Sequence, residues 1–198
     1  MQNIEPMHVP TIRRENYILR PWETEDAGSL TSHANNPRIA RNLRDGFPYP
    51  YTLKDARQWL EMVKENKSDL ILAIEVEGEA AGGIGLHGMK DVYRYNAELG
   101  YWLSEKFWGR GIISDAIGVL VNHAFTHTRW LRIYAAIYDY NTPSMRVLKK
   151  NGFTREAIHR KAVMKEGKLL DEHLYSLLRE NWAGRRDPDA DHLPHARA

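Results

Sequence analysis

Apolar and polar positions recur along this chain with two periods, which divide it into strands and helices. A period of two, in runs rich in β-branched and aromatic residues, predicts strands at residues 16–22, 69–76, 80–86, 95–103, 131–138, 153–162 and 169–178. A helical period predicts helices that begin near Thr24, Thr52 and Gly111, and a fourth that Asn141 or Thr142 caps. The pattern predicts one mixed α/β domain at 16–182, after an N-terminal extension at 1–15.

Two stretches show no clear period. Residues 183–198 hold few apolar side chains, so we expect a disordered tail. Residues 38–52 carry Arg38, Arg41 and Arg44, followed by an aromatic and proline run. This segment is either a wall of a binding site or a solvated connector with its rings packed down. Its arginines either favour an acidic ligand or form plain surface.

Composition narrows the class of protein. The chain has 198 residues, 42% hydrophobic and 27% charged, with a formal net charge of only +2. This balance predicts a globular domain and gives no electrostatic support to nucleic-acid binding. The absence of cysteine excludes disulfides, thiolate zinc sites and a cysteine acyl-enzyme. No run approaches the ~20 apolar residues that cross a membrane, and residues 1–11 lack a signal-peptide core, so we expect no membrane contact and a cytoplasmic protein.

The strongest local pattern is a strand, a short glycine loop and a helix start at residues 98–116. Gly109 and Gly111 let the backbone curl, so that the first N–H groups of the helix can face a phosphate. Lys106 and Arg110 add positive charge there. A phosphorylated cofactor suits this loop, although it matches neither GxxxxGK[ST] nor a dinucleotide fingerprint. Residues 83–88 do match GxGxxG, but no periodic helix follows them, which favours close strand packing instead.

Three blocks in order carry a resemblance to a known family. They are ELGYWL at 98–103, KFWGRGI at 106–112 and NTPSMRVLKKNGF at 141–153. Together they resemble the GCN5-related N-acetyltransferases, in the branch that includes the ribosomal-protein-alanine N-terminal acetyltransferases. Lys106 stands where that family usually has Gln or Arg, which keeps a charge without Arg's fork. The resemblance implies the α/β fold of this family, a mostly antiparallel sheet of about seven strands flanked by helices.

The resemblance also implies acetyl-coenzyme A as cosubstrate and a primary amine as acceptor. Without cysteine, we expect direct transfer, most simply to a peptide or protein N-terminus, with a small amine or a catalytically silent acyl-coenzyme A module as alternatives. Monomer and homodimer are both compatible with the sequence. The residues implied in cofactor binding are Trp102, Leu103, Lys106, Phe107, Trp108, Gly109, Arg110, Gly111, Ile112, Ser114 and Asn141.

By the same resemblance, Glu98 is the candidate base or water-positioning carboxylate, and Ser144 is the candidate acid for the departing thiolate. An exposed strand glutamate is the alternative for Glu98. Asn141 and Ser144 could also simply cap their helix, as could Ser114. Tyr138 and Tyr140 are rivals of Ser144 as the acid.

His123 and His127 have the spacing of two zinc ligands on a helix. Their segment lacks the glutamate of HExxH, and no third ligand is evident. Histidines are also favoured near the end of a helix by its dipole. We therefore expect no metal.

Overall fold

One eight-stranded sheet organises the molecule, and the computed structural model describes residues 10–66 and 68–182. The strands lie in the order β1-β2-β3-β4-β5-β6-β8-β7. Their bounds are β1 Ile12–Arg13, β2 Ile18–Pro21, β3 Leu70–Val76, β4 Glu79–Gly88, β5 Asn96–Leu103, β6 Arg132–Tyr138, β7 Thr154–Lys165 and β8 Lys168–Leu178. The eighth strand is β1, which pairs with β2 from within the predicted N-terminal extension. The predicted tail at 183–198 lies outside the described residues.

Every neighbouring pair of strands is antiparallel except β5 and β6, which are parallel. This parallel pair is short, and its last partners are Glu98 and Tyr134. Beyond them, β5 continues to Leu103 and β6 to Tyr138 without pairing to each other. The sheet is therefore split at its centre, and we call this gap the β5–β6 split.

Helices flank the sheet: α1 Ala27–Ala34, α2 Pro37–Ala40, α3 Leu53–Glu65, α4 Ile112–His127, α5 Thr142–Lys150 and α6 Arg179–Trp182. Thr52 caps α3 as predicted, since its hydroxyl accepts the Asp55 N–H at 3.3 Å. Two local predictions were wrong. The first helical segment opens with a 3₁₀ turn whose N-cap is Glu23 rather than Thr24. Asn36 caps α2 inside a region predicted to be irregular.

Side chains of β5 alternate between two hydrophobic clusters, one on each face of the sheet. Leu99 and Leu103 belong to the larger cluster, with α4 and α5. Trp102 packs against the smaller cluster, which α1 and α3 build. The sheet is thus covered on both faces, and the β5–β6 split lies between the two layers. No helix in the described ranges is long and apolar enough to cross a membrane.

Candidate functional site

The direction of the main-chain groups along β5 follows from three hydrogen bonds. Met89 N–H donates to the Asn96 carbonyl at 2.9 Å, and Ser104 N–H donates to the Ala81 carbonyl at 2.8 Å. On the other edge of β5, Leu131 N–H donates to the Tyr95 carbonyl at 2.8 Å. Because these groups alternate along a strand, even-numbered residues of β5 face β4 and odd-numbered residues face β6. The main-chain groups of Leu99, Tyr101 and Leu103 therefore point into the β5–β6 split.

The two residues predicted to bind the pantetheine arm through their backbone thus face opposite ways. Leu103 lies on the open side, where its carbonyl accepts the Trp108 indole N–H at 2.7 Å. Trp102 turns its main chain toward β4, and its indole lies over Gly83, where a Cβ would be 2.8 Å from Nε1. A Cβ at Gly82 would be 2.6 Å from the Trp102 carbonyl oxygen. Close packing explains the glycines of β4, as the sequence predicted.

The phosphate loop, residues 106–112, exposes its main chain to solvent and is anchored in the core by two buried side chains. Phe107 and Ile112 are buried in the core, so only their backbone can serve a ligand. Gly109 and Gly111 have φ of 77° and 79°, a region that favours glycine. Gly111 is the N-cap of α4 and makes no side-chain capping bond. The first N–H groups of this 16-residue helix therefore face outward as a ready anion site.

The two basic residues of the loop share one partner, Glu77, in the turn between β3 and β4. Lys106 Nζ lies 2.9 Å from Glu77 Oε2, and Arg110 Nη1 lies 3.2 Å from Oε1. Hydrogen bonds from Lys106 and then from Arg110 lower the pKa of Glu77. Because all three groups are exposed, a phosphate group can take the place of this carboxylate.

A groove of about 350 Å³ continues from the loop between α4 and the end of α5. Ser114 lines it, and Asn151 Nδ2 donates to the Ser114 carbonyl at 3.0 Å, with the hydroxyl at 3.4 Å. Lys150 lies on the same groove. The open helix start, the glycine cradle and the β5–β6 split fit a long phosphorylated thioester such as acetyl-coenzyme A.

A buried hydroxyl pair lies on the α5 side of the split. The Tyr101 hydroxyl is 2.5 Å from Ser144 Oγ, and burial raises the pKa of Tyr101 to about 12. Asn141 caps α5 by accepting the Ser144 N–H at 3.3 Å. The sequence had suggested Tyr138 and Tyr140 as rivals of Ser144, whereas Tyr101 is the tyrosine that touches it. Alternation along β5 was the one available signal for Tyr101.

The opposite side of the split opens into a cleft of about 770 Å³, which we call the acceptor cleft. Its floor includes Tyr101 and Trp102 of β5 and Ala136 and Tyr138 of β6, all beyond the last paired residues. Glu98 stands at the closed end of the split, where its side chain is 20% exposed. The cleft therefore touches the point at which the two strands separate.

Only one member of the predicted arginine cluster lines the cleft. Arg44 forms an ion pair with Glu98 there. Arg41 lies over the Tyr140 ring, 5.0 Å from its centroid, and Arg38 lies over Trp108 at 5.2 Å. The three arginines thus serve three different places rather than one acidic acceptor.

Aromatic rings form the wall of the cleft beside α3. Phe47 lies 4.9 Å from Tyr51 and 5.7 Å from Trp102, measured between ring centroids. Trp59 of α3 completes the wall and meets Trp22 edge-on at 4.9 Å. Phe47 and Tyr51 therefore pack down and also line the cleft, whereas Tyr49 between them is exposed.

The histidines of α4 lie apart from both surfaces. The rings of His123 and His127 are 4.6 Å apart between centroids. Within residues 10–66 and 68–182, no group of three His, Cys, Asp or Glu side chains is arranged to hold a metal ion.

Comparison with known proteins agrees with this geometry. Residues 16–154 match the family described as "Acetyltransferase (GNAT) domain". Over 182 residues, the chain is 30% identical to N-acetyltransferase p20 of Bacillus licheniformis, covering 88% of this chain and 99% of that protein. It is 34% identical over 110 residues to YdaF of Bacillus subtilis, named as a candidate ribosomal N-acetyltransferase, covering 56% of this chain and 60% of YdaF.

A solved structure gives the same fold. The ribosomal-protein-S5-alanine acetyltransferase of Vibrio fischeri superposes with a TM-score of 0.77 at 22% identity, covering 87% of this chain and 98% of that one. The split sheet, the phosphate loop and the full-length similarity to p20 lead to one conclusion. This chain belongs to the GNAT family and is an N-acetyltransferase that uses acetyl-coenzyme A.

Proposed function

We propose that this enzyme acetylates the α-amine at the N-terminus of a peptide or protein. The observation that carries the proposal is the β5–β6 split, because it separates the acid pair from an acceptor cleft lined by Glu98. An acyl donor held along the phosphate loop and an amine in the cleft would meet at the split. The similarity to YdaF supports a ribosomal or other protein acceptor.

The acceptor's own pKa supports an α-amine. At pH 7 the neutral form costs about 1 kcal/mol for an α-amine of pKa ~7.7, but about 4.6 kcal/mol for a lysine of pKa ~10.4. The Glu98 carboxylate lines the cleft, where it would attract and orient an ammonium group. The lower free-energy cost of forming the neutral amine therefore favours an α-amine acceptor over a lysine.

The cosubstrate supplies an activated acetyl group, and the chain supplies its surroundings. Leu99, Tyr101 and Leu103 would offer main-chain hydrogen bonds along the split, and the first N–H groups of α4 would hold phosphates. The Ser144 hydroxyl, backed by Tyr101, would donate a proton to the leaving sulfur. Tyr101 stays protonated at neutral pH, because burial raises its pKa to about 12.

A small cationic amine is the second candidate, and the charge of the cleft favours it. Four carboxylates line the cleft: Asp55, Asp69, Glu98 and Glu172. Arg44 and His87 are the basic side chains among the lining residues. This excess of negative charge would attract a diamine or polyamine.

The test compares acceptors that differ in one amine. Acetyl-coenzyme A binding is measured first by calorimetry, and thiol release is then followed with two versions of one peptide. One version has a free α-amine and blocked lysines, and the other has a blocked α-amine and a free lysine.

We expect thiol release with the first version only. Release with polyamines and with neither peptide would replace the proposal by the small-amine function. Binding without release from any amine would leave an acyl-coenzyme A-binding module.

A further inference from the structure

A histidine–aspartate pair lies in the acceptor cleft beside Glu98. His87 Nδ1 is 3.0 Å from Asp69 Oδ2, across the start of the β3–β4 pair. The Asp69 side chain is 13% exposed, whereas that of His87 is 49% exposed and faces the cleft. The pair therefore has a buried, fixed member and an accessible one.

Asp69 is held in place by more than the histidine. Its Oδ1 accepts the Gly88 N–H at 3.0 Å, and its Oδ2 accepts from the Asn66 amide at 2.9 Å. Burial opposes ionisation, but hydrogen bonds from His87, Asn66 and Gly88 outweigh it and keep the pKa of Asp69 below its usual range. An ionised Asp69 accepts a hydrogen bond from the His87 Nδ1–H, which fixes the imidazole tautomer with an unprotonated Nε2.

The second ring nitrogen of His87, Nε2, lies near two glycines of the sheet, Gly85 and Gly100. Gly85 and Gly100 are partners across β4 and β5, and ideal Cβ atoms there would be 3.6 and 4.0 Å from Nε2. Gly100 lies two residues beyond Glu98, in the part of β5 that does not pair with β6. His87 and Glu98 are themselves partners in the β4–β5 register, so both side chains rise from the same face of the sheet.

We propose that His87, oriented by Asp69, is the general base that accepts the proton of the acceptor amine. As the amine nitrogen bonds to the acetyl carbon, Nε2 takes the proton that the nitrogen loses. As the C–S bond breaks with its electron pair on sulfur, Ser144 Oγ–H donates a proton to that sulfur. His87 then releases its proton to water, and the hydroxyl pair regains one. Glu98, paired with Arg44, attracts and orients the amine rather than taking its proton.

This proposal rests on the proposed function for its acceptor and deepens it. An imidazole suits proton transfer at neutral pH, whereas the Glu98 carboxylate is already engaged by Arg44. The charged and titratable groups that share the cleft with His87 are Arg44, Tyr51, Asp55, Asp69, Glu98, Tyr101, Tyr138 and Glu172.

The test uses the full-length enzyme, its best amine acceptor and the substitution His87→Gln. We expect kcat to fall about 100-fold or more, with acetyl-coenzyme A affinity unchanged. We also expect the acidic limb of the kcat pH profile, measured at saturating acceptor, to disappear because the enzyme then lacks its imidazole base. His127→Gln, at the exposed end of α4, is the matched control and keeps wild-type kinetics. Free imidazole restores part of the activity to His87→Ala, because Gly85 and Gly100 leave room for it.

Two outcomes overturn the proposal separately from the proposed function. One is an active wild type with an unchanged kcat and acidic limb in His87→Gln. The other is a neutral His87 with its proton on Nε2, detected by nitrogen NMR of the imidazole. A wild type that binds acetyl-coenzyme A and acetylates no amine overturns both the proposed function and the base together.

Discussion

The phosphate loop follows strand β5 and the acceptor cleft is lined by that strand, but the two are built in different ways. The loop presents main-chain N–H groups, with its apolar side chains Phe107 and Ile112 turned into the core. The cleft presents side chains that come from α3, the 42–48 segment, β3, β4, β5, β6 and β8. A main-chain site depends on backbone conformation, whereas a side-chain site depends on the identity of each residue. Substitutions should separate the two accordingly.

Apart from the proposed base His87, the largest effect is expected at the acid pair. Ser144→Ala removes the hydroxyl that touches Tyr101, so kcat should fall about 100-fold while acetyl-coenzyme A affinity changes little. Steady-state kinetics with the best acceptor amine measure this. A wild-type kcat in Ser144→Ala would remove serine as the acid, and the same result in Tyr101→Phe would exclude the tyrosine.

Burial of Tyr101 predicts an effect on stability at high pH. Its folded pKa of about 12 is above the ordinary value of 10.0, so its contribution is complete below pH 10 and is lost as pH rises through 12. Two pKa units correspond to roughly 2–3 kcal/mol of unfolding free energy. Urea unfolding between pH 9 and 12 should therefore show a shallower decline for Tyr101→Phe than for the wild type. Equal slopes would contradict the burial of this hydroxyl.

The loop should be most sensitive at its glycines. Gly111 has φ of 79°, a conformation that costs a residue with a Cβ about 1–2 kcal/mol. Gly111→Ala should weaken acetyl-coenzyme A binding by roughly 10-fold, with kcat preserved at saturation. Calorimetry measures the change. Gly28→Ala, in α1 with open space around the new methyl group, is the control and should bind normally.

Glu98 offers a pH-dependent test of the cleft. Glu98→Gln should lose activity at low pH, where the acceptor amine is protonated, because an amide attracts an ammonium group less than a carboxylate does. Activity should return above the amine's pKa of ~7.7. The kcat/KM profile against pH measures this, and an unchanged profile would exclude both a base and an orienting role.

The smallest effect is expected where Glu77 competes with phosphate. Glu77→Gln should release Lys106 and Arg110 and raise acetyl-coenzyme A affinity about two- to threefold at low salt, as for other exposed ion pairs. Salt should reduce the gain. Glu79→Gln, in the same hairpin but paired with His33, serves as the control. A weaker affinity in Glu77→Gln would show that the carboxylate positions the two cations instead.

Local signals explain what the sequence could predict of the fold. The start of α3 at Thr52 was predicted because a cap and the apolar positions that follow it, such as Ala56 and Leu60, lie within one helix. Strand β1 was missed because two residues carry no period. Helix α2, which Asn36 caps, was missed because its four residues are too few to show a helical period.

The residues of the site divide in the same way, into those that a local motif predicts and those that only folding brings together. Gly109 and Gly111 were found because a phosphate loop is a contiguous motif. Tyr101 and Ser144 are separated by 43 residues, and Arg44 and Glu98 by 54, so their contacts depend on folding. The position of His87 could have been predicted, because aligning β4 and β5 about the segment that connects them places His87 opposite Glu98.

Ligand binding at the β5–β6 split would also couple this enzyme's resistance to unfolding to the supply of its cosubstrate. Unpaired strand edges inside a sheet are a weak point, and a ligand that fills them binds only the native state. At 100 times its Kd, such a ligand adds about 2.7 kcal/mol to the unfolding free energy. The abundance of the thioester would then set how often the sheet opens to proteases, so that a starved cell would hold a shorter-lived enzyme.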